Sequence, residues 1–234
     1  MRALSSADFL NLWECGFRMH PVDQGLLALS AAFPETPQEA LAAWPLGRRN
    51  QALAELRCSC FGAKLEGAVP CPQCGQELEF QMDARALAAD TGPPATEPVV
   101  VRGRAFRLPT SSDVARAAAE RDTRAAVLKM LQACSLDGGD ASEWQDGEIE
   151  EIGERLASAD PMAETRLTFL CAVCAHRWEE TLDMAAFLWS EVEARARRLL
   201  LEIHTLASAY GWTEDQILSV SDRRRAFYLD MVQA

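Results

Sequence analysis

The residues in this sequence best suited to chemistry are two pairs of cysteines that lie one hundred positions apart. Cys71 with Cys74 and Cys171 with Cys174 each form a Cys-x-x-Cys motif. Downstream of the motifs, the two copies agree in residue type at Leu78 and Trp178, Glu79 and Glu179, Met82 and Leu182, and Asp83 and Asp183. This duplication predicts one local structure used twice, a tight turn that carries two thiolates and is followed by a β-strand.

Two such turns supply the four soft ligands that a tetrahedral Zn²⁺ prefers. The sequence therefore predicts a structural zinc site formed by Cys71, Cys74, Cys171 and Cys174. With all four positions filled by sulfur, no position remains open for a substrate. Binding at such a site contributes on the order of 10 kcal/mol to folding.

Three other interpretations of these cysteines remain open. Cys58 and Cys60 could join Cys71 and Cys74 in a local site, although two thiols at positions i and i+2 near a helix end diverge. The motif cysteines could also be ordinary buried thiols. A thioredoxin-like dithiol is disfavoured, because an alternating pattern typical of a strand, and not a helix, follows both motifs.

Composition describes an ordinary globular chain and narrows the function classes. The 234 residues are 49% hydrophobic and 25% charged, and no apolar run approaches the roughly 20 residues of a membrane span. Eight cysteines favour metal binding in a reducing compartment over a disulfide framework, so we expect a cytoplasmic protein, with Cys15 and Cys134 as small core residues.

The charge is strongly acidic and unevenly distributed. The net charge is −12, and residues 137–164 contain ten acidic residues and one arginine, a net charge of −9. A protein with this balance repels nucleic acid and anionic membranes. We therefore expect no membrane and no nucleic acid among its partners.

The pattern of apolar residues, caps and turns predicts an α+β fold in which two zinc-knuckle β-hairpins are surrounded by helices. The predicted regions are an N-terminal helical region (1–62), a first zinc knuckle (63–90), a hairpin, long helix and acidic loop (91–165), a second zinc knuckle (166–183) and a C-terminal helical region (184–234). Capping boxes are predicted at Thr36 and Thr213, and a single long helix from Thr110 to Cys134. Asp183 is expected to cap the longest helix, which Gly211 ends.

No catalytic constellation is present, so the sequence favours a protein that is not an enzyme. His20, His176 and His204 are far apart, and no acidic residue stands at the spacing of a zinc hydrolase helix. Aromatic and arginine side chains near the C-terminus are instead of the types enriched in protein interfaces. The candidate protein-binding residues are Trp189, Tyr210, Trp212, Arg223, Arg224, Arg225 and Tyr228.

Several segments together resemble the zinc-ribbon proteins encoded with contractile phage-tail-like injection systems and, more remotely, the baseplate hub assembly proteins of T-even-type phages. The segments are Phe61-Gly62-Ala63-Lys64-Leu65-Glu66, Phe106-Arg107-Leu108-Pro109-Thr110, Ala186-Phe187-Leu188-Trp189-Ser190-Glu191 and Glu202-Ile203-His204-Thr205-Leu206-Ala207, the last followed by Tyr210-Gly211-Trp212, Ile217-Leu218 and Arg223-Arg224-Arg225. The likeness extends from Leu10 onward, and its C-terminal part is the most specific.

The resemblance implies a non-enzymatic structural or assembly protein that acts on baseplate, hub or tape-measure proteins and can be incorporated in the particle. In the family pattern the knuckle cysteines recur, whereas cysteines at positions 58 and 60 do not. Ala175 stands where a glycine usually follows the second knuckle, which predicts a strained turn there. The alternatives are a zinc-ribbon regulator that binds nucleic acid through Arg223 to Arg225, and a metalloenzyme.

Overall fold

The computed structural model describes residues 1–89, 97–138 and 144–233. Within them the chain forms helices and three two-stranded antiparallel hairpins, an arrangement consistent with the predicted α+β class. The predicted loop around residues 90–94 and the centre of the acidic segment, residues 139–143, lie outside the described residues.

Four helices precede the first hairpin: α1 (Ser6–Gly16), α2 (Pro21–Ala32), α3 (Gln38–Ala42) and α4 (Leu46–Phe61). The Ser5 side chain forms a capping box with Asp8 at the start of α1. The capping box predicted at Thr36 is wrong, because α3 begins at Gln38 and Pro37 occupies the N-cap without a side-chain hydrogen bond. The Thr36 hydroxyl is therefore one position too early to act as a cap.

The hairpins have short strands joined by tight turns. Their strands are β1 (Lys64–Pro70), β2 (Glu77–Asp83), β3 (Val99–Val101), β4 (Arg104–Phe106), β5 (Thr165–Leu170) and β6 (Arg177–Leu182). Strand β1 pairs with β2, β3 with β4 and β5 with β6. A short helix, α5 (Ala84–Ala89), directly follows β2.

The segment between the outer hairpins contains α6 (Ser111–Ala117), α7 (Thr123–Cys134) and α8 (Asp146–Ala159), then a 3₁₀ turn at Pro161–Ala163. The prediction of one long helix from Thr110 to Cys134 is wrong. The Asp122 side chain accepts a hydrogen bond from the Ala125 N–H and so starts a new helix. Much of the acidic excess assigned to a loop lies instead on α8, which carries five acidic residues.

The C-terminal region contains α9 (Met184–Tyr210), α10 (Glu214–Ser219) and α11 (Asp222–Gln233). The predicted ends of α9 are confirmed. Asp183 accepts hydrogen bonds from the first backbone amides of α9, and Gly211 ends that helix in the left-handed conformation with φ 66°. Thr213 forms the predicted capping box with Gln216 at the start of α10.

Buried apolar side chains form two clusters. The larger one joins α1 to α4 with α9 through residues such as Leu29, Leu53 and Val192, each with 0% exposure. The smaller one, around Phe106, lies among β3, β4, α7 and α8. Cys134 is buried in this second cluster as predicted, whereas Cys15 is exposed, since it lies on the outer face of α1.

Two polar contacts connect parts of the chain that are distant in sequence. Arg57 on α4 is buried, and its guanidinium donates to both carboxylate oxygens of Glu191 on α9 at 2.9 and 2.8 Å. The backbone amide of Gly47, at the start of α4, donates to Asp160 Oδ2 at 2.8 Å. These contacts and the larger cluster connect α4 to later elements without any contribution from Cys71, Cys74, Cys171 or Cys174.

None of the described helices combines the length and apolar character needed to span a membrane.

Candidate metal centre

The two cysteine-bearing hairpins, β1 with β2 and β5 with β6, are copies of one structure at an offset of one hundred positions. Leu65 pairs with Met82 in the first hairpin, and Thr165 pairs with Leu182 in the second. The Cys71 N–H donates to the Gln76 carbonyl at 2.8 Å, and the equivalent hydrogen bond in the second copy measures 2.9 Å. The duplication seen in the sequence is therefore a duplication of backbone geometry.

The turns of these hairpins bring the sulfurs of Cys71, Cys74, Cys171 and Cys174 within 4.8 Å of one another. Two close separations cross from one hairpin to the other. Cys71 Sγ lies 3.6 Å from Cys174 Sγ, and Cys74 Sγ lies 3.6 Å from Cys171 Sγ. These four cysteines could hold a metal ion such as zinc.

The structure does not show the alternative site in which Cys58 and Cys60 join Cys71 and Cys74. Cys58 and Cys60 lie in the last turn of α4 and are not members of the four-sulfur cluster. Cys71 and Cys171, one from each hairpin, are almost completely buried, with exposures of 2% and 1%. The sulfurs of the first hairpin therefore face those of the second.

Backbone amides are directed at the sulfurs. The N–H groups of Cys174 and Val173 donate to the sulfur of Cys171, and these bonds lower the pKa of the Cys171 thiol to about 7. The N–H of His176 stabilises the thiolate of Cys174 in the same way, but desolvation and the neighbouring thiols outweigh it and raise the pKa of Cys174 to about 12. The thiolate of Cys171 therefore forms more readily than that of Cys174.

Each turn needs one residue with a positive φ after its second cysteine. Gly75 has φ 73° and Ala175 has φ 57°. Glycine adopts this left-handed conformation at no steric cost, whereas in alanine the Cβ comes too close to the following carbonyl oxygen. The strained turn predicted at Ala175 is confirmed.

An aromatic cluster joins the two hairpins beside the sulfurs. The ring of Phe80 on β2 packs edge-on against Phe169 on β5 with centroids 5.4 Å apart, and Phe169 stacks on Trp178. The imidazole of His176 stacks on Trp178 at 5.9 Å. His176 therefore contributes twice: its backbone N–H donates to the sulfur of Cys174, and its ring packs on Trp178 in the aromatic cluster.

The candidate protein-binding residues separate into two groups. The rings of Tyr210, Trp212 and Tyr228 form one aromatic cluster, with Trp212 lying 5.0 and 4.9 Å from the two tyrosines. Arg224 lines a cavity of about 230 Å³ together with Trp212 and Tyr228, and Arg223 is exposed. Tyr210, Trp212, Tyr228 and Arg224 therefore form a continuous feature of the C-terminal helices.

The other two candidates, Trp189 and Arg225, pack against other parts of the chain. Arg225 is 1% exposed, and its guanidinium bonds to Glu202, Asp222, the Ser6 hydroxyl and the Val220 carbonyl. Trp189 is half-buried, and its ring lies so close to Gly16 that a Cβ there would be 2.2 Å from it.

Sequence reasoning also missed the roles of Asp160, Gly47, Arg57 and Glu191. The buried carboxylate of Asp160 accepts a hydrogen bond from the start of α4, 113 residues away, and its local sequence does not indicate this contact. A glycine at the second position of a helix, as at Gly47, indicates that another group approaches the backbone closely there.

Comparisons with protein-family models, with curated proteins and with solved structures found no match for this chain. The features that bear on function are therefore the four sulfurs and the surfaces around them.

Proposed function

We propose that this chain is a non-enzymatic structural or assembly protein of a contractile phage-tail-like particle, in which one structural Zn²⁺ fixes a protein-binding surface. The residues that would hold the ion are Cys71, Cys74, Cys171 and Cys174. The single observation that carries the proposal is the convergence of four sulfurs, two from each of two distant hairpins, within 4.8 Å.

The spacing of the sulfurs fits a tetrahedral thiolate site. Sulfurs at the usual Zn–S distance of about 2.3 Å define a tetrahedron with edges of about 3.8 Å. The two cross-hairpin separations of 3.6 Å are close to that edge. They are also far longer than a disulfide bond of about 2.05 Å, so the arrangement is that of ligands around a common centre.

The chemistry of the donor set favours a structural ion over a catalytic one. Zinc in catalytic sites keeps a position for water or substrate, whereas four protein thiolates close the coordination shell. Bound there, a dication would compensate the charges of the thiolates. The amide groups that donate to Cys171, Cys174 and Cys74 would help to orient and stabilise them.

Zinc content in paired variants tests this part of the proposal. We expect about one zinc per chain in the parent protein and less than about a tenth of that in Cys171→Ser/Cys174→Ser, because two ligands cannot close the site. The matched control is Cys58→Ser/Cys60→Ser, which should retain the metal. Equal zinc in the parent and the first variant would contradict a shared site.

The surface offered to other proteins is the aromatic cluster of Tyr210, Trp212 and Tyr228 with Arg223 and Arg224. Aromatic and arginine side chains dominate the binding energy of interfaces. This cluster belongs to the region that begins with α9, the helix that Asp183 starts directly after the second zinc hairpin. The sequence resemblance supports baseplate, hub or tape-measure proteins as the partners.

Co-expression with those subunits tests the biological part of the proposal. Tagged parent protein should co-purify with hub, baseplate or tape-measure subunits of a contractile tail, and Arg224→Glu should reduce recovery at least about tenfold. The control is Arg197→Glu, at an exposed arginine on α9. Recovery that is unchanged in Arg224→Glu would contradict this surface, and binding to duplex DNA in its place would support the regulator alternative.

A further inference from the structure

The four cysteines of the candidate metal centre differ in their exposure. Cys71 and Cys171 are buried, with exposures of 2% and 1%, whereas Cys74 is exposed and Cys174 is half-buried. Each hairpin therefore supplies one inner and one outer cysteine. Because the susceptibility of a thiol to oxidation follows its exposure, an oxidant in solution reaches the outer cysteines, Cys74 and Cys174, first.

Each outer sulfur is in contact with an inner sulfur of the other hairpin. Cys74 Sγ lies 3.6 Å from Cys171 Sγ, and Cys174 Sγ lies 3.6 Å from Cys71 Sγ. To form a disulfide bond of about 2.05 Å, the two sulfurs of a pair need to approach by only roughly 1.5 Å. Each exposed thiol is thus held beside a buried thiol that can react with its oxidised form.

We infer that oxidation by a peroxide replaces the zinc at this centre with two disulfide bonds between the hairpins, Cys71 to Cys174 and Cys74 to Cys171. This inference deepens the proposed function and rests on its zinc centre. The outer thiolate attacks the peroxide, whose O–O bond breaks, and a sulfenic acid and one hydroxide ion form. The inner thiolate then attacks the sulfenic sulfur, forms the S–S bond and expels a second hydroxide ion. Two molecules of hydrogen peroxide therefore convert four thiolates into two disulfides and four hydroxide ions.

This exchange removes the metal but keeps the hairpins joined. A sulfur in a disulfide is no longer a thiolate, so the ligands that hold Zn²⁺ are lost. Disulfides within each turn would also release the metal, but they would leave the two hairpins without a connection through sulfur. The bonds between hairpins instead link residues 103 and 97 positions apart, and they make this connection independent of metal in an oxidising environment.

Peptide mapping of the full-length, zinc-loaded protein after treatment with hydrogen peroxide tests the inference. Each Cys-x-x-Cys motif lies whole within one tryptic peptide, residues 65–85 or 167–177. Disulfides between the hairpins join these two peptides, whereas disulfides within a turn leave them separate. We expect the joined form to exceed the separate forms at least about tenfold as zinc is released. Fragmentation of the joined peptides by mass spectrometry should assign the bonds to the two pairs in contact.

The outcomes distinguish this inference from the zinc proposal itself. Internal disulfides in separate peptides, from a protein that contained zinc, would overturn the inference and leave the zinc centre standing. Motif peptides that stay reduced at a peroxide dose that oxidises the exposed Cys15 would also overturn it. Joined peptides from a protein purified without zinc would support the disulfide pairing and contradict the zinc centre.

The variant Cys58→Ser/Cys60→Ser is the matched control. It removes two half-buried thiols outside the four-sulfur cluster and should give the same joined peptides as the parent protein. Loss of the joined peptides in this variant would mean that the bonds form through Cys58 or Cys60, and would contradict direct reaction between the hairpins.

Hydrogen exchange after chelation tests the covalent connection. With the zinc removed by EDTA, residues 64–83 and 165–182 of the peroxide-treated protein should keep amide protection at least about tenfold above that of the reduced protein. The reason is that the disulfides hold the hairpins together when the metal is gone. Equal protection in the oxidised and reduced proteins would contradict this role.

Discussion

The paired cysteine-bearing hairpins and the helical core are stabilised in different ways. Among the strand and turn residues of these hairpins, only Leu65, Cys71, Phe169 and Cys171 are buried. In the core, by contrast, α1 to α4 and α9 share one continuous cluster of buried apolar side chains. An isolated two-stranded hairpin is at best marginally stable in water. A packed helical cluster is stabilised by the apolar surface that it buries. The difference teaches that the proposed metal would stabilise the part of the protein where apolar burial is scarce.

The largest expected effect separates the two regions. In Cys171→Ser/Cys174→Ser, loss of the metal should expose residues 64–83 and 165–182 to amide exchange, with protection falling by about a hundredfold or more. The helices α2, α4 and α9 should keep most of their protection, because their contacts do not involve the sulfurs. Hydrogen exchange measured by mass spectrometry reports the protection of the hairpins and of the helices separately. Equal loss of protection in both regions would mean that the metal also holds the core.

A smaller effect is expected from the ion pair between α4 and α9. Glu191→Ala leaves the Arg57 guanidinium buried without its partner, which should lower the free energy of unfolding by about 2 to 3 kcal/mol. Urea unfolding measures this change. Glu193→Ala is the matched control, because its partner Arg197 is largely exposed and the cost should stay within about 0.5 kcal/mol. If both variants lowered the free energy of unfolding by a similar amount, the ion pair between Arg57 and Glu191 would have no special structural role.

The next effect concerns the close approach at the start of α4. A Cβ on Gly47 would lie 1.8 Å from Asp160 Oδ1, so Gly47→Ala should cost about 1 to 3 kcal/mol in urea unfolding. Gly147 occupies the equivalent second position of α8, and a Cβ there meets nothing within 4 Å. Gly147→Ala should therefore be neutral or slightly stabilising. Equal effects would mean that Asp160 moves aside without cost.

The smallest effect compares the two copies of the knuckle. Ala175→Gly removes the Cβ from a left-handed residue and should stabilise the zinc-loaded protein by about 0.5 to 1 kcal/mol, whereas Gly75→Ala should destabilise it by a similar amount. Thermal unfolding at matched zinc concentration measures both changes. Shifts of the same sign in the two variants would contradict the strain assigned to Ala175.

The sequence allowed the grouping of the four cysteines and the helix ends of the C-terminal region to be predicted, because the turns and caps involved depend on local chemistry. The Cys-x-x-Cys turn, the Asp183 cap and the Gly211 terminator each act within a few residues of chain. The break near Asp122 was missed because a cap inside a helical pattern looks like one more polar surface residue.

The long-range contacts could not be predicted from a single sequence. Asp160 reaches Gly47 across 113 residues, and Arg57 reaches Glu191 across 134. A buried arginine has the same local pattern as an exposed one, so Arg225 was grouped with its neighbours. Only the packing of α11 against α9 and α1 shows that its guanidinium is enclosed.

The measurement that tests the central claim most directly is X-ray absorption spectroscopy at the zinc edge on the zinc-loaded full-length protein. A site shared by both hairpins predicts four sulfur atoms around each zinc at about 2.3 Å and no nitrogen or oxygen ligand. Two sulfurs accompanied by lighter atoms would contradict it, because each hairpin alone supplies two thiolates and water would have to complete the shell.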